Sequence, residues 1–270
     1  MTYKQFTVRA VHEQMSHQWV GRALTRDLAL ADRRNLGDLV LRYLPHDGPI
    51  LEAGCGIGGW VKWLSLHGYD VVGVDWYDDV VEAARQADPS LVIERGDITR
   101  LRWPDHSFAG YVSLGVIEHF EEGPGAALRE AFRVLRRGGM AIITVPAETL
   151  IRRVVAHHLR SAAILALRII GRPLYFAEYR YSLDELVQHV KAAGFEVVHT
   201  DVDDVRDNET AYHMGLYCDF PFLRSGQGTG AMELNALGRL VRRLTRGVGR
   251  RFAAGYFVAA RKPHQSSKGS

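Results

Sequence analysis

The chain has 270 residues, 47% apolar and 24% charged, a balance that excludes a disordered, fibrous or disulfide-framed protein. No apolar run approaches the roughly 20 residues a bilayer-spanning helix needs. The polar start Met1-Thr2-Tyr3-Lys4-Gln5 lacks a secretion signal's apolar core, and two cysteines, Cys55 and Cys218, are too few for a framework or a zinc site, so a reducing cytoplasm is expected.

The predicted elements begin with a helical cover over residues 1–47, its helix running from about 20 to 44. Pro49-Ile50-Leu51-Glu52-Ala53 is a short strand leading into Gly54-Cys55-Gly56-Ile57-Gly58-Gly59, and Trp60 to Leu66 follows as a helix. Tyr69 to Asp75 is a β-branched second strand, and Val80 to Ala87 is a helix closed by Pro89. Leu91 to Glu94 is a third strand, Phe108 to Leu114 a fourth, Ala126 to Leu135 a helix and Met140 to Pro146 a fifth strand. Alternating strands and helices with short connections predict a parallel sheet with helices on both faces. Near-continuous apolar strands fit that burial.

Beyond Pro146 the rhythm changes. Residues 148–171 read as a long helix within an insertion spanning 147–181. Ser182-Leu183-Asp184-Glu185 then opens a helix with a capping-box pattern. That helix ends at Gly194, Phe195 to Thr200 is a strand, 231–246 a helix and Gly255 to Ala260 a last strand. The polar tail 263–270 is expected to be disordered. The division is a single domain over 1–262, with a core at 48–146 and a C-terminal half at 182–262.

The net charge of +3 hides an asymmetry. Residues 149–177 and 234–270 contain no acid yet hold 14 of the 34 Lys and Arg, leaving 20 basic against 31 acidic residues elsewhere. Such patches attract anionic surfaces or ligands. Along 150–170, Leu150, Ile151, Val154, Val155, Leu159, Ala162, Leu165, Ile169 and Ile170 recur at helical spacings, with Arg152, Arg153, Arg160 and Arg168 interspersed. That pattern predicts a basic amphipathic helix over 150–172, either a lid on its own domain or a peripheral membrane contact at the inner face.

The glycines at 54, 56, 58 and 59 allow a tight strand-to-helix turn and close backbone approach to a ligand. Gly54, Gly56 and Gly59 also satisfy the dinucleotide pattern G-x-G-x-x-G, and a purely structural turn fits too. Asp75, ending the second strand, can accept both hydroxyls of a ribose or can cap the helix that follows.

Glu52-Ala53-Gly54-Cys55-Gly56-Ile57-Gly58, Gly73-Val74-Asp75 and Gly96-Asp97-Ile98, taken in order, closely resemble the class I S-adenosylmethionine-dependent methyltransferases. Phe108 to Ser113, Ile117-Glu118-His119-Phe120 and Arg133 to Met140 continue the match. The nearest likeness is to the small-molecule branch, with its quinone-biosynthesis, sugar and natural-product enzymes. The resemblance implies a Rossmann-like, mostly parallel seven-stranded sheet with one antiparallel edge hairpin strand and a helical insertion after strand five. It implies S-adenosylmethionine as cofactor. Gly54 and Gly56 would pass under its methionine part, and Glu52 would hold the loop or reach the amino group. Asp75 would bind the ribose and Trp76 pack beside the adenine. Asp97 and Ile98 would meet the adenine edge, and Leu114 would offer backbone to the methionine.

His119 is the candidate catalytic residue, because transfer to an oxygen or a protonated nitrogen requires a proton to leave and histidine titrates near working pH. It could instead shape the pocket. Glu118-His119 could recruit a divalent metal only with distant partners, so no metal ligand is assigned. The expected function is methyl transfer to an oxygen or nitrogen of a small acceptor: a sugar, a quinone precursor or a lipid-linked intermediate. The alternative is an RNA-directed enzyme using the arginine-rich C-terminal segment. Ser113-Leu114-Gly115-Val116 lacks the Asn/Asp-Pro-Pro-aromatic stretch that grips a flipped base. A nicotinamide-dependent oxidoreductase fits Glu52 and Gly96-Asp97 poorly.

Overall fold

The computed structural model describes residues 2–8, 13, 19–150, 152–207, 211–212, 214–225, 233–245, 248 and 251–264. The chain starts on a strand, β1 (Tyr3–Thr7), followed by helices α1 (Leu24–Arg33) and α2 (Leu36–Tyr43). The alternating core follows as β2 (Ile50–Ala53), α3 (Gly59–Leu66), β3 (Val71–Asp75), α4 (Asp78–Ala87), β4 (Ile93–Arg95), β5 (Phe108–Leu114), α5 (Gly125–Val134) and β6 (Leu135–Pro146). A π-helical turn (Arg152–Ala156) leads into α6 (His157–Ile169), then β7 (Tyr175–Arg180), α7 (Leu183–Ala192) and β8 (Glu196–Asp203). A two-residue pair, β9 (Arg206–Asp207) and β10 (Ala211–Tyr212), precedes α8 (Met214–Asp219), α9 (Ala236–Leu244) and β11 (Gly255–Arg261).

Seven strands form one sheet in the order β4-β3-β2-β5-β6-β11-β8. The pairs among β2 to β6 are parallel. The antiparallel strand expected at the edge is β11, which pairs β6 on one side and the outermost strand β8 on the other. Successive residues point to opposite faces of a strand, and the two faces feed two cores. Ile50, Val112, Ile142 and Phe257 face a core closed by α1 to α4. Leu51, Tyr111, Ile143 and Val258 face one closed by α5 and α7. Each such aliphatic side chain, fully withdrawn from water, contributes about 1.5–3 kcal/mol.

Three expectations need correction. The helix predicted over 20–44 is broken at Arg34-Asn35. Buried Asn35 donates from Nδ2 to the Val202 carbonyl and accepts at Oδ1 from Asp204 N, so the break ties the cover to β8. The cover is also not wholly helical, since β1 pairs antiparallel with β7 to make a ribbon outside the main sheet. Its partner lies some 170 residues away, beyond any local pattern. Arg152, read as part of a basic helix face, is buried and donates to the carbonyls of Ala147 and Ala253. Of the tail, His264 packs beside Gly138, and 265–270 lie outside the described residues, as does Ile151 of the inserted helix.

Candidate active site

A cavity of about 650 Å³ opens at the C-terminal ends of β2, β3 and β5. Chain order reverses between β2 and β5, the crevice where open α/β sheets bind ligands. The turn after β2 lets backbone approach this space. Gly54, Gly56 and Gly58 all have φ between +54° and +83°, a region that favours glycine. A Cβ on Gly54 would strike Val116 at 2.5 Å, and one on Gly56 would meet the Trp19 ring at 3.0 Å.

Asp75 ends β3, only 8% exposed, with its carboxylate on the cavity wall. Its Oδ2 accepts from Gly56 N at 2.9 Å and its Oδ1 from Tyr77 N at 3.2 Å. Gly56 itself is not among the wall residues; its N–H orients Asp75. Burial pushes the Asp75 carboxyl above its ordinary range, opposed by these N–H bonds. Glu52 sits on the same wall at 3% exposure, and its Oε2 has no hydrogen-bond partner among the described residues. Burial, reinforced by the neighbouring Asp75 charge, holds its carboxyl well above the usual range.

Asp97 caps its own loop, Oδ1 accepting from Thr99 N at 2.8 Å and Thr99 Oγ1 at 2.7 Å, and also lines the cavity. Ile98 and Leu114 complete the apolar wall. Trp76 is 55% exposed at the rim, with the Arg95 guanidinium 5.9 Å from its ring, so it is not a core residue.

His119 closes a short 3-10 turn, Ile117–His119, just beyond β5 and faces the cavity. Its Nδ1 lies 2.7 Å from the Ala177 carbonyl on β7. A carbonyl only accepts, so Nδ1 is the donor of this bond, and the neutral ring would leave Nε2 as an acceptor. Glu118, 1% exposed, places Oε1 3.9 Å from that Nε2. Burial and the nearby Glu178 push the Glu118 carboxyl well up, and its Oε2 has no hydrogen-bond partner among the described residues. The fold supplies the distant group that sequence could not: Glu118, His119 and Glu178 each bring a potential ligand atom within 4.8 Å of the others.

The sequence reading missed the cavity's outer wall. Trp19, Arg22 and Asp27 from the N-terminal cover, with Trp60, Phe120 and Glu122, line it. Only their chemistry was visible beforehand. Elsewhere near the insertion, Tyr181 is buried and Tyr179 donates to the Glu121 carbonyl, while His213 lies outside the described residues.

Residues 51–143 match the model of a methyltransferase domain. A protein named as a probable S-adenosylmethionine-dependent methyltransferase of Mycolicibacterium smegmatis is 30% identical over 56% of this chain and 53% of its own length. The malonyl-[acyl-carrier protein] O-methyltransferase of Serratia marcescens is 29% identical over 50% and 55%. An S-adenosyl-L-methionine-dependent Diels-Alderase of Talaromyces variabilis is 34% identical over 45% and 43%. The chain thus spans about half the length of the curated relatives it matches. Residues 51–143 are a methyltransferase domain, and the chain is similar to the S-adenosylmethionine-dependent methyltransferase family.

Solved structures agree on the fold. A chain of the Haloferax volcanii Trm112 activator–methyltransferase complex superposes with a TM-score of 0.62 at 18% identity, over 95% of this chain and 99% of that one. An Archaeoglobus fulgidus SAM-dependent methyltransferase gives 0.57 at 14%, over 94% and 100%. The cofactor of this family is S-adenosylmethionine, and the methyltransferase residues present suit it. Glu52 Oε2, without a partner among the described residues, is a buried oxygen that an ammonium would suit. Asp75 retains lone pairs for vicinal hydroxyls, and the crowded Gly54 position leaves backbone, not side chain, at the cavity.

Proposed function

We propose that this chain binds S-adenosylmethionine through Glu52, Gly54, Asp75, Trp76, Asp97, Ile98 and Leu114, with Gly56 orienting Asp75. We further propose that it transfers the methyl group to an oxygen or nitrogen of a small-molecule acceptor. A sugar, a quinone precursor or a lipid-linked intermediate would suit. When bound, the cofactor supplies a methyl group already activated on a sulfonium, so alignment alone provides much of the rate. Glu52 would compensate the ammonium, Asp75 the ribose hydroxyls, and Trp76 would cover the base. His119 Nε2 would take the acceptor proton, held in place by the Nδ1–H bond to Ala177.

The observation carrying this reading is a cavity-lining histidine whose Nδ1 is engaged as a donor to the Ala177 carbonyl, which would leave Nε2 of the neutral ring as the acceptor. The decisive experiment is His119→Ala with purified protein, cofactor and an acceptor found by mass gain. Turnover should fall by about 10²–10⁴-fold while cofactor affinity changes only a few-fold. Unchanged turnover would reduce His119 to a pocket wall. Activity should also survive chelation, whereas loss restored by magnesium would make Glu118, His119 and Glu178 a metal centre.

Where the chain works is part of the same proposal. Among the described residues no helix is long and apolar enough to cross a membrane. Leu165, Ile169 and Ile170 are exposed on and just beyond α6, which supports peripheral contact at the inner membrane face through 150–172. Arg160, which donates to Gln5 Oε1, and Arg168, over the Phe6 ring, face β1 instead, which supports the lid reading for the helix's other side.

A further inference from the structure

A second apolar surface lies outside both the cavity and the insertion. Helix α9 opens on a good N-cap, Asn235, whose Oδ1 accepts from Gly238 N at 2.9 Å. One side docks: Gly238 is buried tightly against the Leu223 carbonyl, and Val241 packs on a small core of Leu216, Leu223 and Leu234. Another side is bare. Leu237, Leu240 and Leu244, spaced three and four apart, are 52%, 52% and 77% exposed. At about 100° per residue they form one narrow stripe. A soluble helix gains nothing by presenting three leucines to water, so the stripe requires a cover.

The surrounding charge selects that cover. Arg239 and Arg243, both exposed, stand on the next side of the helix round from the stripe. No Asp or Glu follows Glu233 in the sequence, while nine Lys and Arg do, although the rest of the chain is acidic. Phe222, 67% exposed, is joined to the start of the helix, since Asn235 Nδ2 donates to its carbonyl at 2.8 Å. An apolar stripe flanked by arginines matches the two layers of an anionic bilayer surface, acyl chains below and phosphates at their edge. Single-stranded nucleic acid would call for aromatic stacking platforms, where this stripe offers leucines. A second copy of the chain would bring the same arginines to the interface and repel.

We propose that α9 is an interfacial anchor that seats the leucine stripe in the headgroup layer of an anionic membrane. The inference stands independently of the methyl-transfer reading, since α9 contributes nothing to the cavity wall. It adds a docking element distinct from 150–172.

The test is co-sedimentation of the full chain with vesicles of phosphatidylcholine, with and without phosphatidylglycerol. The chain should pellet with the anionic vesicles at low salt, stay free with the neutral ones, and be released by high salt. A Leu240→Ser/Leu244→Ser variant should stay in the supernatant. Arg239→Gln/Arg243→Gln should bind roughly 10–30-fold more weakly, taking about fivefold per arginine near the surface. Unchanged affinity for S-adenosylmethionine, or an unchanged thermal midpoint should the chain not bind it, shows that the variants fold. Failure of the parent chain to pellet at low salt overturns the proposal. So does binding lost only on changing Leu165 and Ile169, or a solution dimer that the Leu240→Ser/Leu244→Ser change dissociates.

Discussion

Asp75 already accepts N–H bonds from Gly56 and Tyr77 before any ligand arrives, so one side chain shapes the glycine turn and faces the cavity. Asp75→Ala should cost on the order of 2–4 kcal/mol of cofactor affinity, the worth of two charge-assisted hydrogen bonds, as read by calorimetry. It should also lower the thermal midpoint, because Gly56 N loses its acceptor. Tight nicotinamide dinucleotide binding, with none of the methyl donor, would contradict the assignment. Glu118 carries a pH signature. Burial raises its carboxyl in the folded chain, so the unfolded chain ionises first as pH rises. Its contribution to stability is therefore complete below the ordinary carboxylate range and is lost as pH climbs toward the raised folded value. Glu118→Gln removes that loss, so its melting temperature should gain on the parent's between about pH 5 and pH 8. A gap that stays constant with pH would mean that Glu118 is not held neutral.

At the scale of elements, α7 shows local chemistry fully expressed. Ser182 accepts from Glu185 N while the Glu185 carboxylate accepts from Ser182 N at 3.0 Å, closing the capping box. Against the effect of burial, donation from Ser182 N, from Ser182 Oγ at 2.8 Å and from Thr2 Oγ1 at 2.9 Å holds the Glu185 carboxyl down at about 2. Ser182→Ala should cost about 1 kcal/mol in urea unfolding, with the linear slope unchanged. The β1–β7 ribbon is the contrary case. Tyr3↔Arg180 and Thr7↔Tyr175 pair across the whole alternating core, and β7 carries the Ala177 carbonyl to which His119 Nδ1 donates. An element absent from the local pattern thus holds the candidate base.

For the molecule as a whole, Asp204 is the knot. Buried beside Asn35, it accepts from Val205 N at 2.7 Å, Met214 N at 2.7 Å and Ala254 N at 2.9 Å, joining the N-terminal cover, α8 and the approach to β11. Asp204→Ala strands these donors away from water, and unfolding in urea should show a loss exceeding about 3 kcal/mol. Substitution at an exposed position such as Val198 should shift stability by only about 0.5 kcal/mol.

Local patterning determined the alternating core, because apolar runs and glycine turns express their preferences within a few residues. It placed Phe108–Leu114 to the residue, put Glu52, Asp75, Asp97 and His119 at strand ends, and let the family resemblance name the cofactor. Tertiary structure decided what depends on distant partners. It split the N-terminal helix at Asn35, because that amide finds its acceptor on β8. It buried Arg152 among carbonyls, and it brought Glu178 of β7 to Glu118 and His119, some sixty residues earlier in the chain. It also left the α9 leucines bare. The spacing of Leu237, Leu240 and Leu244 predicts an amphipathic helix, but only the packing of Gly238 and Val241 fixed which side turns inward, since one face of a helix can dock on a core only by turning another away.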